Sequence, residues 1–108
     1  MGASNLLSPL PDARAAEIFT SLLERPGLRI ERIVSAGQIT PEDAPYDQPQ
    51  DEWVVLLTGG ARLWLESDGE IALAPGDALL IPAHVKHRVT WTQADPPAVW
   101  LAIHLTEG

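Results

Sequence analysis

Cysteine is absent from the 108-residue sequence, which excludes a disulfide framework, thiol nucleophiles and cysteine-ligated zinc or iron-sulfur sites. Basic residues are scarce: 7 Lys and Arg stand against 15 Asp and Glu, a formal net charge of -8. The averaged field repels nucleic acid and anionic membrane surfaces, and the basic residues are scattered rather than striped, so neither is expected as a partner. Long apolar runs are missing as well. The longest, Trp53 to Leu57 and Ala98 to Ile103, fall far short of the ~20 residues that cross a bilayer. No charged-then-apolar leader opens the chain, so the expected location is cytoplasmic. What is present is 45% hydrophobic residues, enough for one core in one domain.

The periodicity changes once along the chain. Residues 1–27 read as an arm and a helix. Ser8-Pro9 and Leu10-Pro11 disfavour regular pairing, whereas Ala15, Ile18, Phe19, Leu22 and Leu23 recur at helical spacing from Asp12 to Glu24, with Asp12 as N-cap and Arg25-Pro26-Gly27 as the stop. Residues 28–108 alternate short apolar runs with turn chemistry, the pattern of an antiparallel sandwich or barrel. The expected strands are Leu28 to Ser35, Glu52 to Leu57, Ala61 to Glu66, Glu70 to Leu73, Ala78 to Ile81, His87 to Thr92 and Val99 to Leu105. Gly59-Gly60, Ser67-Asp68-Gly69 and Pro75-Gly76-Asp77 are the expected sharp turns, read as hairpins. Gln38 to Asp51, with prolines at 41, 45 and 49, is a long loop.

Strand parity assigns faces, because successive side chains alternate. In His87 to Thr92, His87, Val89 and Trp91 share a face and point inward. In Val99 to Leu105 the apolar set Val99, Leu101, Ile103 and Leu105 takes the core face, which sends Trp100 and His104 outward to the surface or an interface. Leu63 and Leu65 go in, and Trp64 goes out toward a second layer or subunit. Glu52, Val54 and Leu56 share one face of a strand apolar on both sides, so Glu52 is a carboxylate near the start of a buried strand.

Two stretches resemble a known family, the cupins, small antiparallel conserved-barrel proteins. Asp51-Glu52-Trp53-Val54-Val55-Leu56-Leu57-Thr58-Gly59-Gly60 is similar to the second half of the first cupin motif, in which a ligand glutamate precedes a glycine by seven positions. Ala74-Pro75-Gly76-Asp77 followed by Ile81-Pro82-Ala83-His84-Val85-Lys86-His87-Arg88-Val89 is similar to the second motif, with His87 in the place of its single ligand histidine. The resemblance covers about Gly37 to Leu105. It implies an all-β, double-stranded β-helix (jelly-roll) barrel, with the N-terminal helix packed outside. It also implies a homodimer, which would cover edge strands and the outward Trp64.

The first motif departs from the family at one point. Metal-binding cupins supply two histidines before the glutamate, and those places hold Tyr46 and Gln48, or at the longer spacing Pro45 and Asp47. The usual three-histidine, one-glutamate site is therefore not available. Two readings follow. In one, His87, Glu52, Asp47 and Gln48 hold a divalent Mn, Fe or Zn ion. In the other, His87 and Glu52 form a hydrogen-bonded pair in a cavity without metal. His84 and Tyr46 are candidate catalytic groups, an imidazole that titrates near neutrality and a phenol that donates to a carbonyl, each balanced by a plain turn or packing role. Trp91 and Val54 are candidate pocket walls for a small-molecule ligand. The expected function is small-molecule binding in the barrel, with lyase, isomerase or oxygenase chemistry, or a metal-free, non-catalytic sensing module.

Overall fold

The computed structural model describes residues 2–106. Eight strands follow one another along the chain: β1 (Ile18–Arg25), β2 (Leu28–Ser35), β3 (Asp51–Thr58), β4 (Ala61–Leu65), β5 (Gly69–Leu73), β6 (Ala78–Ile81), β7 (His87–Thr92) and β8 (Ala98–Leu105). They form a five-stranded sheet in the order β1-β2-β8-β3-β6 and a three-stranded sheet in the order β5-β4-β7. Every pairing is antiparallel, so the all-β jelly-roll expectation holds. No helix occurs among the described residues, and none is therefore long and apolar enough to cross a membrane.

The helix expected over Asp12 to Glu24 is corrected to β1, which pairs with β2 through a two-residue Pro26-Gly27 turn, Gly27 taking φ 76. Its apolar residues had two readings. Ile18, Phe19, Leu22 and Leu23 suit a helical stripe, but β1 also has a register shift between Ser21 and Leu23. That extra residue, a β-bulge, produces adjacent apolar pairs in a strand and imitates the helical period. The β-branched Ile18 and Thr20 with Phe19 favour the extended form. Tertiary pairing along all of β2 decides the outcome.

Only one of the three expected hairpins is one. Ser67-Asp68 joins β4 to β5 at Gly69, φ 82. Gly59-Gly60 and Pro75-Gly76-Asp77 instead carry the chain from one sheet to the other, because β3 and β4, like β5 and β6, lie in different sheets. Crossings of this kind bring the inner faces together. Val54, Leu56, Ala61, Leu63, Leu65, Leu73, Ile81, Ala98 and Trp100 fill the space between them. A second, smaller cluster joins Ala13, Val34 and Val99 on the outside of the large sheet.

Two face assignments are reversed. On β8 the inward set is Ala98, Trp100, Ala102 and His104, each buried; the expected core set of Val99, Leu101, Ile103 and Leu105 takes the other face, with only Val99 buried, against Ala13. The strand is apolar on both sides, and the small Ala98 and Ala102 leave the room that Trp100 needs. On β7, Trp91 is exposed and Thr92 buried. The register with β4 shifts there, Val89 facing Leu63 and Trp91 facing Arg62, so Thr90 is an extra residue that flips the alternation. Trp91 then lies over Gly60, where an added Cβ would come within 3.0 Å of its ring, with the Arg62 guanidinium 5.9 Å from the ring. Trp64 finds cover within the chain, the Arg88 guanidinium lying 4.9 Å from its ring.

The segment before β3 is not a free loop. Tyr46 exchanges backbone hydrogen bonds with His87 on β7, the Thr40 amide donates to the Val89 carbonyl while its Oγ1 accepts from the Val89 amide, Thr92 Oγ1 donates to the Gln38 carbonyl, and the His84 amide donates to the Gln48 carbonyl. The chain thus covers the open edge of β7.

Gly59 carries the most demanding crossing: φ is 76, and a Cβ would lie 2.7 Å from the Pro97 carbonyl oxygen and 2.8 Å from the Ala98 Cα. Both neighbours are backbone and have nowhere to go. Gly59→Ala is expected to destabilise the fold by at least ~2 kcal/mol, measured as a lowered urea midpoint with unchanged slope. An unaltered midpoint would contradict this packing.

Candidate active site

Between the sheets, at the end where β1 lies, the core gives way to a cavity of about 70 Å3. One ordered water needs ~10–15 Å3 on this scale, so the space takes several waters or a small organic molecule. Its apolar wall includes Ile33, Val54, Leu63, Ile81, Val89 and Trp100. Phe19 and Tyr46 line it too and remain partly exposed, which makes them its rim.

Pleat alternation aims the polar groups. Glu52 leads the inward set of β3 and His87 that of β7, so the two come from opposite sheets. His87 Nε2 stands 3.6 Å from Glu52 Oε1, and both residues are buried, 5% and 8% exposed. His87 Nδ1 lies 3.0 Å from the Val85 carbonyl; a carbonyl only accepts, so Nδ1 carries a proton and Nε2 faces the carboxylate. Burial works against a charged imidazole, but Glu52 and the Val85 carbonyl outweigh it and hold the His87 pKa above its usual value.

Tyr46 reaches the cavity because its backbone bridges to His87, with N–O distances of 2.8 and 3.0 Å. Its ring stacks on the imidazole at 5.4 Å between centroids. The phenol pKa is raised, first by burial and then by the charges of Glu17, Glu52 and Glu31, so this hydroxyl stays a donor. Parity in the edge-covering segment separates Asp47 from its neighbours. Tyr46 and Gln48 line the cavity, whereas Asp47 does not. The Asp47 carboxylate lies 3.1 Å from His84 Nδ1, and both side chains are largely exposed. His84 holds φ 64 in the turn after Pro82, outside the cavity wall. Val54 lines the wall and Trp91 does not.

Three further groups in the cavity escaped the sequence reading: Glu17, Glu31 and His104. His104, expected outside, is 4% exposed, and its Nε2 donates to Glu31 Oε1 at 2.9 Å. It sits directly across from Glu52 in the β3–β8 register. Glu17 accepts from Ser35 Oγ. One signal was available: His104 keeps step with Ala98 and Ala102, and small residues beside a tryptophan mark a strand face that looks into a crowded interior.

A cavity of this kind inside a two-sheet jelly roll defines a barrel of the cupin class. The family model described as cupin domain matches residues 32–104, and the chain belongs to the cupin family. Among solved structures it is similar to a protein of Ralstonia eutropha provisionally named a mannose-6-phosphate isomerase, with 46% identity, TM-score 0.93, and 99% of this chain and 100% of that one covered. It is also similar to a cupin superfamily protein of Desulfitobacterium hafniense, with 23% identity, TM-score 0.81, and 99% and 94% covered; that likeness concerns the fold. No curated protein is recognisably similar in sequence.

The donors were tested against the metal that such barrels often hold. Asp47 faces His84 rather than Glu52, Tyr46 and Gln48 stand where imidazoles would be needed, and among the described residues no three His, Cys, Asp or Glu side chains are grouped to hold an ion. This donor set does not fit a divalent metal. Imidazole, carboxylate and phenol are the reagents at hand.

The raised His87 pKa has a definite sign. Its contribution to stability is complete below the unfolded-state value near 6.5 and fades as pH climbs through the higher folded value. The stability lost in His87→Asn is therefore expected to be largest near pH 6 and to shrink as pH rises, measured as the difference in urea unfolding free energy between the two proteins. A difference that stays flat or grows would mean that the imidazolium is not stabilised by Glu52.

Proposed function

We propose that the chain binds a small organic molecule in the barrel and moves a proton on it by metal-free general acid-base catalysis, as an isomerase or lyase. The observation that carries this reading is the buried His87–Glu52 pair, which stands on the wall of a cavity open at Phe19 and Tyr46. A carboxylate beside a charged imidazole divides the labour: Glu52 takes a proton from carbon, His87 Nε2–H gives one to oxygen, and the Tyr46 hydroxyl donates to the developing oxyanion. The product of that step is an enediol; returning the proton from Glu52 to the neighbouring carbon, while His87 takes a proton back from the hydroxyl on the carbon first deprotonated, completes an aldose-ketose isomerisation, the class named for the Ralstonia relative. Elimination next to a carbonyl uses the same first step.

The test is deuterium uptake from D2O into carbon next to a carbonyl, followed by NMR over small hydroxy- and amino-carbonyl compounds with mannose 6-phosphate included. Chelator-treated protein is expected to retain full exchange, and Glu52→Gln to lose ~10²–10⁴-fold. Saturable binding with no exchange would leave a sensing module instead; exchange that vanishes with chelator and returns with metal would refute the metal-free reading.

We also propose a homodimer. Trp53 and Leu80 are exposed cross-strand neighbours on the outside of the large sheet, with Leu105 exposed on the same face across from Asp51, and a second copy of the same largely apolar strip is the partner this supports. Light scattering is expected to give twice the chain mass for the native protein and a shift toward monomer for Trp53→Arg. A native monomer would remove the proposal.

A further inference from the structure

The cavity has a charge that the acid-base reading does not use. Glu17, Glu31 and Glu52 line it, and none of the chain's seven Lys and Arg residues does. Its other titratable side chains are His87, His104 and the phenol of Tyr46. Three carboxylates line the cavity against two imidazoles, and the cation nearest them, Arg29, stands outside the lining with its Nη2 4.0 Å from Glu31 Oε1, so acidic groups are in excess there. In a confined, mostly apolar space their charge is weakly screened.

Its unmet hydrogen bonds point the same way. Gln48 Oε1 and His104 Nδ1 are buried without partners, and His104 is more than nine-tenths buried. With Nε2–H given to Glu31, the Nδ1 of a neutral imidazole is a bare acceptor. An amide oxygen and an imidazole nitrogen both ask for N–H or O–H groups. Buried acceptors left without donors cost ~1–3 kcal/mol each, so a ligand that brings donors is favoured over water alone. Phe19 and Tyr46 add aromatic faces at the rim, surfaces that attract cations.

We infer that the cavity selects a small organic ammonium ligand, an amine-bearing metabolite, and rejects phosphorylated ones. The inference rests on the cavity being a ligand site and names the class of compound that site takes. A phosphate group brings only acceptors and up to two negative charges to a place that already has both in excess. The name of the Ralstonia relative therefore does not transfer its phosphosugar to this chain. The ammonium group is placed among Glu17, Glu31 and the rim aromatics, leaving the rest of the molecule toward His87 and Glu52.

Calorimetry with two matched pairs of probes tests this at low and moderate salt: butylammonium against 1-butanol, and mannose 6-phosphate against mannose. Butylammonium is expected to bind at least tenfold more tightly than the neutral probes and to weaken with salt, with mannose 6-phosphate the weakest. Glu31→Gln and Glu17→Gln are each expected to weaken butylammonium about tenfold while leaving 1-butanol unchanged. The second variant guards against a folding defect at the partly buried Glu31, and thermal melts of both check it. Mannose binding without butylammonium binding would overturn the charge inference and keep the cavity as a ligand site. Mannose 6-phosphate binding tightest would overturn it outright. No binding of any probe, together with no deuterium exchange, would remove both the inference and the reading beneath it.

Discussion

The contact between Glu52 on the large sheet and His87 on the small one is the constraint around which the interior is arranged. A carboxylate taken from water into an apolar wall costs several kcal/mol unless a partner answers it. Here the partner comes from the opposite sheet, so the two layers must keep their spacing and register for either charge to be tolerated. Val85 fixes one imidazole nitrogen and Tyr46 stacks on the ring. Trp100 and Leu63 close the apolar side.

The same constraint explains why the cavity is polar at one end only. Away from the pair the inward positions are Leu56, Ala61, Leu73 and Ala98, all in the apolar core. Toward β1 the inward positions become Glu17, Phe19, Glu31 and His104. Strand β1 is an edge strand, and its inward residues meet solvent as well as core. Charge gathers where hydration is still within reach.

Much of the barrel was legible in the sequence. The bounds of β2, β6 and β7 coincide with the apolar runs, and the glycine and proline turns sit where the chain reverses or changes sheet. Glu52 and His87 were found by strand parity and by the cupin motifs together. What was hidden has physical causes. Bulges at Leu22 and Thr90 shift the alternation by one residue and cannot be seen from residue types, so β1 resembled a helix and Trp91 resembled a pocket wall. Strand β8 is apolar on both faces, which leaves parity without a sign and concealed His104 and its partner Glu31. Tyr46, Asp47 and Gln48 could not be sorted until the hydrogen bonds to β7 gave their segment a strand-like pleat.

That pleat gives the segment beside β7 an unexpected evolutionary lever. Tyr46 and Gln48 look inward and Asp47 outward only because their backbone is in register with His87 and His84. Deleting or inserting one residue in the short stretch that follows Pro41 would leave the barrel intact yet exchange the two faces, trading a phenol and an amide for an acid. A change of reagent in this barrel needs no new side chain, only a slip of the thread.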